Sequence, residues 1–202
     1  MQKVDRKTSE IFQFLLDEAL TQHKITIAEF IEHLGYRVYG LGILIFALPS
    51  IVPIAVIPGV AALFSVPIFF LSIQLIFAKK IPLFPSWLKN KTINTAHLKK
   101  LFHYAIPYLQ RIEKLIKPRY LFFSSSIGKV ILGILIAWLS ILLMLPIPLS
   151  NMIFGGLIAL LALGLIERDG IILCVGLILG FITVVLYMKV FVLFFNWLIK
   201  YF

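Results

Sequence analysis

Residues 38–78 read VYGLGILIFALPSIVPIAVIPGVAALFSVPIFFLSIQLIFA, 41 positions without one Lys, Arg, Asp or Glu. A helix crosses the hydrocarbon of a bilayer in about 20 apolar residues, so the stretch is long enough for two helices. It is also interrupted, because Pro49, Pro53, Pro58 with Gly59, and Pro67 all fall inside it. Proline removes a backbone donor and clashes with the preceding turn, so four within nineteen residues cannot be absorbed by one straight helix. The stretch predicts a broken membrane segment.

The same pattern recurs downstream. Val130 to Ile166 carries no charge and is broken at Pro146 and Pro148, and Ile171 to Met188 is an uncharged run just long enough to span alone. Over its 202 residues the chain is 61% hydrophobic and 14% charged, against about 45–50% and about 25% in soluble domains. A soluble fold of this size has too little interior to hide that surface. Cys174, the single cysteine, lies in an apolar run and can form no internal disulfide. The expected fold is an all-α membrane protein with two related halves, proline-broken or re-entrant helices and about five apolar helical segments. Amphipathic N-terminal and connector helices complete it. The divisions are 1–35 (N-terminal helices), 36–80 (first membrane repeat), 81–126 (basic interfacial connector), 127–170 (second membrane repeat) and 171–202 (C-terminal helix and anchor).

The halves are suggested by sliding the sequence ninety positions, which sets 47–76 on 137–166 without a gap and pairs Pro58 with Pro148. Interrupted segments at corresponding places in two halves mark transporter binding sites, because irregular backbone at membrane depth must find partners in protein or water. The alternative is that these prolines only kink or end helices. Whether such repeats run parallel or inverted is open at this point.

Charge is segregated as well. The net charge is +10, and ten of the nineteen basic residues fall between Lys79 and Arg119, opposed only by Glu113. A basic connector between apolar spans is the positive-inside signature and predicts that 79–119 faces the cytoplasm of a bacterial inner membrane. Anionic lipid headgroups account for it without nucleic acid. Leu98, Leu101, Phe102, Ala105, Tyr108, Leu109 and Ile112 form an apolar stripe in this connector. In the N-terminal region Ser9 is the expected cap of a helix over 9–20. Thr26, with Glu29 three residues on, should form a capping box for a helix closed by Gly35.

Polar groups inside the apolar blocks are few. With the prolines they give the candidate solute contacts: Ser50, Pro53, Pro58, Gly59, Ser65 and Gln74 in the first block, and Pro146, Pro148, Ser150 and Asn151 in the second. Helix–helix hydrogen bonding is the competing role for Gln74 and Asn151. Arg37, Glu167, Arg168 and Asp169 flank the blocks as gate or charge contacts, or as a local salt bridge. No glycine-rich phosphate loop, serine elbow or histidine metal spacing is present, so no enzyme, cofactor or metal is expected.

Three runs together resemble the exopolysaccharide synthesis ExoD family of bacterial membrane proteins: GLGILIFALPSIVPIAVIPG (40–59), SVPIFFLSIQLIFAKK (65–80) and LPIPLSNMIFGGLIALLALGLIERDG (145–170). The likeness covers roughly residues 34–185 and is weakest in the acidic N-terminal extension. It implies an inner-membrane protein tied by name to exopolysaccharide production, a name that defines no biochemical activity. The expected function is a permease for a small polar or anionic solute, acting among lipids and as a dimer. A non-transport accessory or scaffold protein is the alternative.

Overall fold

The computed structural model describes residues 7–22, 24–51, 60–79, 81–86, 90–116, 121–145 and 150–201. Its helices are α1 (Thr8–Gln22), α2 (Ile27–Leu34), α3 (Arg37–Ile51), α4 (Val60–Ile76), α5 (Thr95–Leu115), α6 (Ser126–Met144), α7 (Ser150–Glu167) and α8 (Gly170–Tyr201). Two three-residue strands, β1 (Lys24–Thr26) and β2 (Thr92–Asn94), pair antiparallel with Ile25 opposite Ile93.

The uncharged stretches become α3, α4, α6, α7 and α8. Among the described residues, Ser126–Met144, Ser150–Glu167 and Gly170–Leu193 are long and apolar enough to cross a membrane. The 15 residues of α3 rise only about 22 Å, short of the roughly 30 Å of hydrocarbon. Pro49 lies within the last turn of α3, while Pro67 sits inside α4 without ending it. Pro67 therefore does not interrupt its helix, and the stretch with Pro53, Pro58 and Gly59 lies outside the described residues.

Small residues set the packing. A side chain at Gly40 of α3 would meet the Ala162 carbonyl of α7 at 2.7 Å, and one at Gly155 of α7 would lie 3.3 Å from Ser50. Helices α3 and α7 therefore run antiparallel in close contact. On the other flank, Gly133 of α6 faces the Ser72 carbonyl and the Ile76 nitrogen of α4, both at 2.9 Å. Helix α8 returns along α7, with Gly176 on Leu161 and the Tyr187 ring 4.7 Å from Phe154. The core between these helices includes Tyr39, Ile43, Leu132, Ile136, Ile158 and Leu165. Because α3 ends where α7 begins, the α3–α4 and α6–α7 connections leave from one end of the bundle.

A cap of α1, α2 and α5 occupies the opposite end. Phe12 and Leu15, Ile31 and Leu34, and Phe102 and Leu109 form its core, with the Phe12 and Phe102 rings stacked at 4.8 Å. The expected capping box is present: Thr26 accepts from the Glu29 N–H, and Glu29 accepts from the Thr26 N–H. Those hydrogen bonds hold the Glu29 carboxyl below its ordinary pKa. Gly35 closes α2 at φ +57°, a left-handed backbone open to glycine.

One local expectation is corrected. Ser9 does not cap α1; it lies within the helix and binds Glu113 of α5. Of the apolar stripe in α5, Phe102 and Leu109 are buried and Tyr108 is exposed.

Candidate functional site

The residues expected to contact solute do not all meet. At the end where α3 stops and α7 starts, Ser50 and Ser150 are fully buried and Asn151 is half-buried. The Ser50 hydroxyl is enclosed without a hydrogen-bond partner, and the Asn151 side-chain oxygen is enclosed on the first turn of α7. Gly155, one turn further, lets α3 approach this group. Ser65 is buried in the second turn of α4, where its hydroxyl donates to the Ala62 carbonyl at 2.8 Å. Pro53, Pro58, Gly59, Pro146 and Pro148 lie outside the described residues.

Both α4 and α7 begin at this end. The first turns of a helix carry unsatisfied N–H groups and the positive end of its dipole. Ser150 and Asn151 thus sit in the first turn of α7, next to the end of α3 that carries Ser50, a setting suited to the oxygen atoms of a polar or anionic solute.

Gln74 is elsewhere. It lies in the last turn of α4, at the cap end, about 20 Å along the helix from its start. Its side-chain oxygen accepts from the Leu83 N–H at 2.5 Å and its nitrogen donates to the Leu83 carbonyl at 3.4 Å. The amide clamps the chain leaving α4, and the structure does not bring it to Asn151. Gln74→Ala is expected to lower thermal stability by about 1–2 kcal/mol through loss of the Leu83 contacts. A melting curve in detergent checks this; an unchanged midpoint would mean that segment 81–85 holds itself.

The flanking charges also gather at the cap end. Arg37 and Glu167 are buried there together with Thr8, Ser9, Glu113 and Asp169. The Glu113 carboxylate accepts from the Ser9 N–H at 2.7 Å and from its hydroxyl at 2.6 Å, fastening α1 to α5. Asp169 caps α8, accepting from the Ile171 N–H at 2.9 Å. Arg168 takes a left-handed φ of +56° in the corner between α7 and α8. Its guanidinium lies 5.0 Å from the Tyr36 ring, and the Tyr36 hydroxyl donates to the Leu165 carbonyl at 2.6 Å. The run ERDG is thus a helix–helix corner docked on the cap. Sequence reading missed Glu113 as an anchor, although its standing as the sole acid among ten bases was the available signal.

A family model described as exopolysaccharide synthesis, ExoD, matches residues 8–189. An uncharacterized protein of Synechocystis sp. is 32% identical over 173 residues, which is 85% of this chain and 81% of that protein. Protein ExoD of Rhizobium meliloti is 30% identical over 156 residues, 75% of this chain and 64% of that protein. No solved structure matches. The family match starts at Thr8 and so includes the cap helices, beyond the span of roughly 34–185 expected from the quoted runs.

Proposed function

Because the chain belongs to the exopolysaccharide-synthesis ExoD family, we propose that it serves exopolysaccharide production as a bacterial inner-membrane permease for a small polar or anionic solute. The observation that carries this reading is the buried Ser50 hydroxyl, enclosed without a partner where α3 meets α7. A buried polar group left unsatisfied costs about 1–3 kcal/mol, a cost that a solute oxygen at this point would remove.

The arrangement of the helices supports two related hairpins, α3–α4 and α6–α7. Gly40 faces positions 162 and 166, while Gly133 faces positions 72 and 76, and these partner positions stand ninety apart in sequence. The two glycines stand 93 apart. In that register the buried Tyr39, Ile43, Ala47 and Ser50 of α3 correspond to Leu132, Ile136, Ser140 and Leu143 of α6, which are buried too. Hairpins related in this way point in the same direction, so the repeats are parallel, and rocking one against the other would open the α3–α7 seam. Connector 79–119 would face the cytoplasm by the positive-inside rule. The exposed flank of α8 would meet lipid or a second copy.

A thermal-shift screen of sugars, sugar phosphates, amino acids and small peptides on the purified protein tests the site. A ligand at a hundredfold excess over its Kd should stabilise the fold by about 2.7 kcal/mol. Ser50→Ala and Asn151→Ala should lose that shift, whereas Gln74→Ala should start from a lower midpoint and keep it. A hit that survives both site variants would remove the site from the α3–α7 seam. No hit across the panel would favour the accessory reading, in which α8 and the cap bind partner proteins instead.

A further inference from the structure

The cap divides its charge between helices. Exposed acids Glu10, Asp17, Glu29 and Glu32 lie on α1 and α2, whereas α5 exposes Lys99, Lys100, Arg111 and Lys114 and turns its one acid, Glu113, inward. Along α5 the positions Lys100, Tyr104, Tyr108 and Arg111 follow at helical spacing, so they form one stripe opposite the buried Phe102, Leu109 and Glu113. Tyr104 and Tyr108 are 61% and 64% exposed, and the Arg111 guanidinium lies 5.9 Å from the Tyr108 ring. Tyrosines interleaved with cations are the composition of a surface that rests at a bilayer interface.

The stripe is also placed at the right level. Glu113, between Arg111 and Lys114, grips Ser9 beside buried Glu167, the last residue of the α7 candidate span. The C-terminal turns of α5 therefore lie level with the cap end of the bundle, where the apolar helices emerge. We propose that the Lys100–Tyr104–Tyr108–Arg111 stripe, with Lys114, docks on anionic phospholipid headgroups of the leaflet at the cap end. This contact would hold the cap against the membrane. Phosphate oxygens would pair with the cations while the tyrosine rings sit among the headgroups, and the acidic α1–α2 side would be repelled from the same surface.

The test places the full chain in nanodiscs of phosphatidylcholine alone or mixed with phosphatidylglycerol and follows hydrogen exchange over 95–115. Each cation near an anionic surface contributes about a fivefold effect. Three together should slow exchange by on the order of a hundredfold at low salt, with the difference shrinking as salt rises. K100Q/R111Q/K114Q should abolish the phosphatidylglycerol dependence and keep α6–α8 protected. Should the triple variant lose protection in the bundle, K100Q and R111Q tested singly should each reduce the dependence about fivefold. Equal exchange in both bilayers, or a dependence unchanged in the variants, overturns the proposal. Protection reproduced in phosphatidylcholine by inorganic phosphate also overturns it, since the stripe would then bind a free anion and not a lipid surface.

Discussion

Gly133→Ala is expected to destabilise the bundle by about 2–3 kcal/mol, and Gly133→Leu to leave little folded protein. A Cβ at this position would lie 2.9 Å from both the Ile76 nitrogen and the Ser72 oxygen. Ordinary carbon contacts need about 3.5–4.0 Å, and backbone atoms inside a helix cannot swing aside. Helices α4 and α6 would have to separate along their length, and with them the packing of Leu71, Leu75, Leu132 and Ile136. Gly40→Ala should cost a similar amount, since its Cβ would meet the Ala162 oxygen at 2.7 Å and the Ile166 nitrogen at 3.0 Å. Two controls separate close approach from mere loss of glycine. Gly156→Ala meets nothing within 4 Å and should gain about 0.5–1 kcal/mol from reduced backbone entropy. Gly42→Ala meets only a Leu71 methyl, which can rotate away. Thermal unfolding of the four alanine variants in one detergent decides the matter. If Gly133→Ala melts with Gly156→Ala, the α4–α6 seam is looser than its geometry implies.

These positions also show how far the sequence could be read. Uncharged runs located α3, α4, α6, α7 and α8, because water and lipid sort side chains by charge before any tertiary contact forms. The capping box at Thr26 and Glu29 was legible because its partners are three residues apart. The start of α1 was not. Its Ser9 N–H is satisfied by Glu113, 104 positions away, and no local pattern encodes that. Gln74 had the composition of a buried ligand group, yet its partner is the backbone of Leu83, a contact fixed by where the chain turns after α4. The ninety-position slide sets 60–76, the bounds of α4, on 150–166 of α7.

Glu113→Ala should release α1 from the cap while leaving the bundle folded. Two buried hydrogen bonds end on this carboxylate, from the Ser9 N–H and the Ser9 hydroxyl at 2.7 and 2.6 Å. Bonds to a charged acceptor contribute about 1.5–3 kcal/mol each, and their loss would leave a buried N–H at the start of a helix with no acceptor. A net cost of about 3 kcal/mol is expected, comparable to a marginal cap's whole docking energy. Hydrogen exchange and proteolysis over 8–22 should therefore accelerate by on the order of a hundredfold, with α6–α8 unchanged. Glu113→Gln keeps the shape and one acceptor oxygen but turns an amide toward Ser9, so it should fall between the two. If α1 stays protected in Glu113→Ala, the stacking of Phe12 on Phe102 and the burial of Leu15 suffice to hold it. The lone acid of the basic connector would then act chiefly to set the register of α1 on α5, and only secondarily as the clamp.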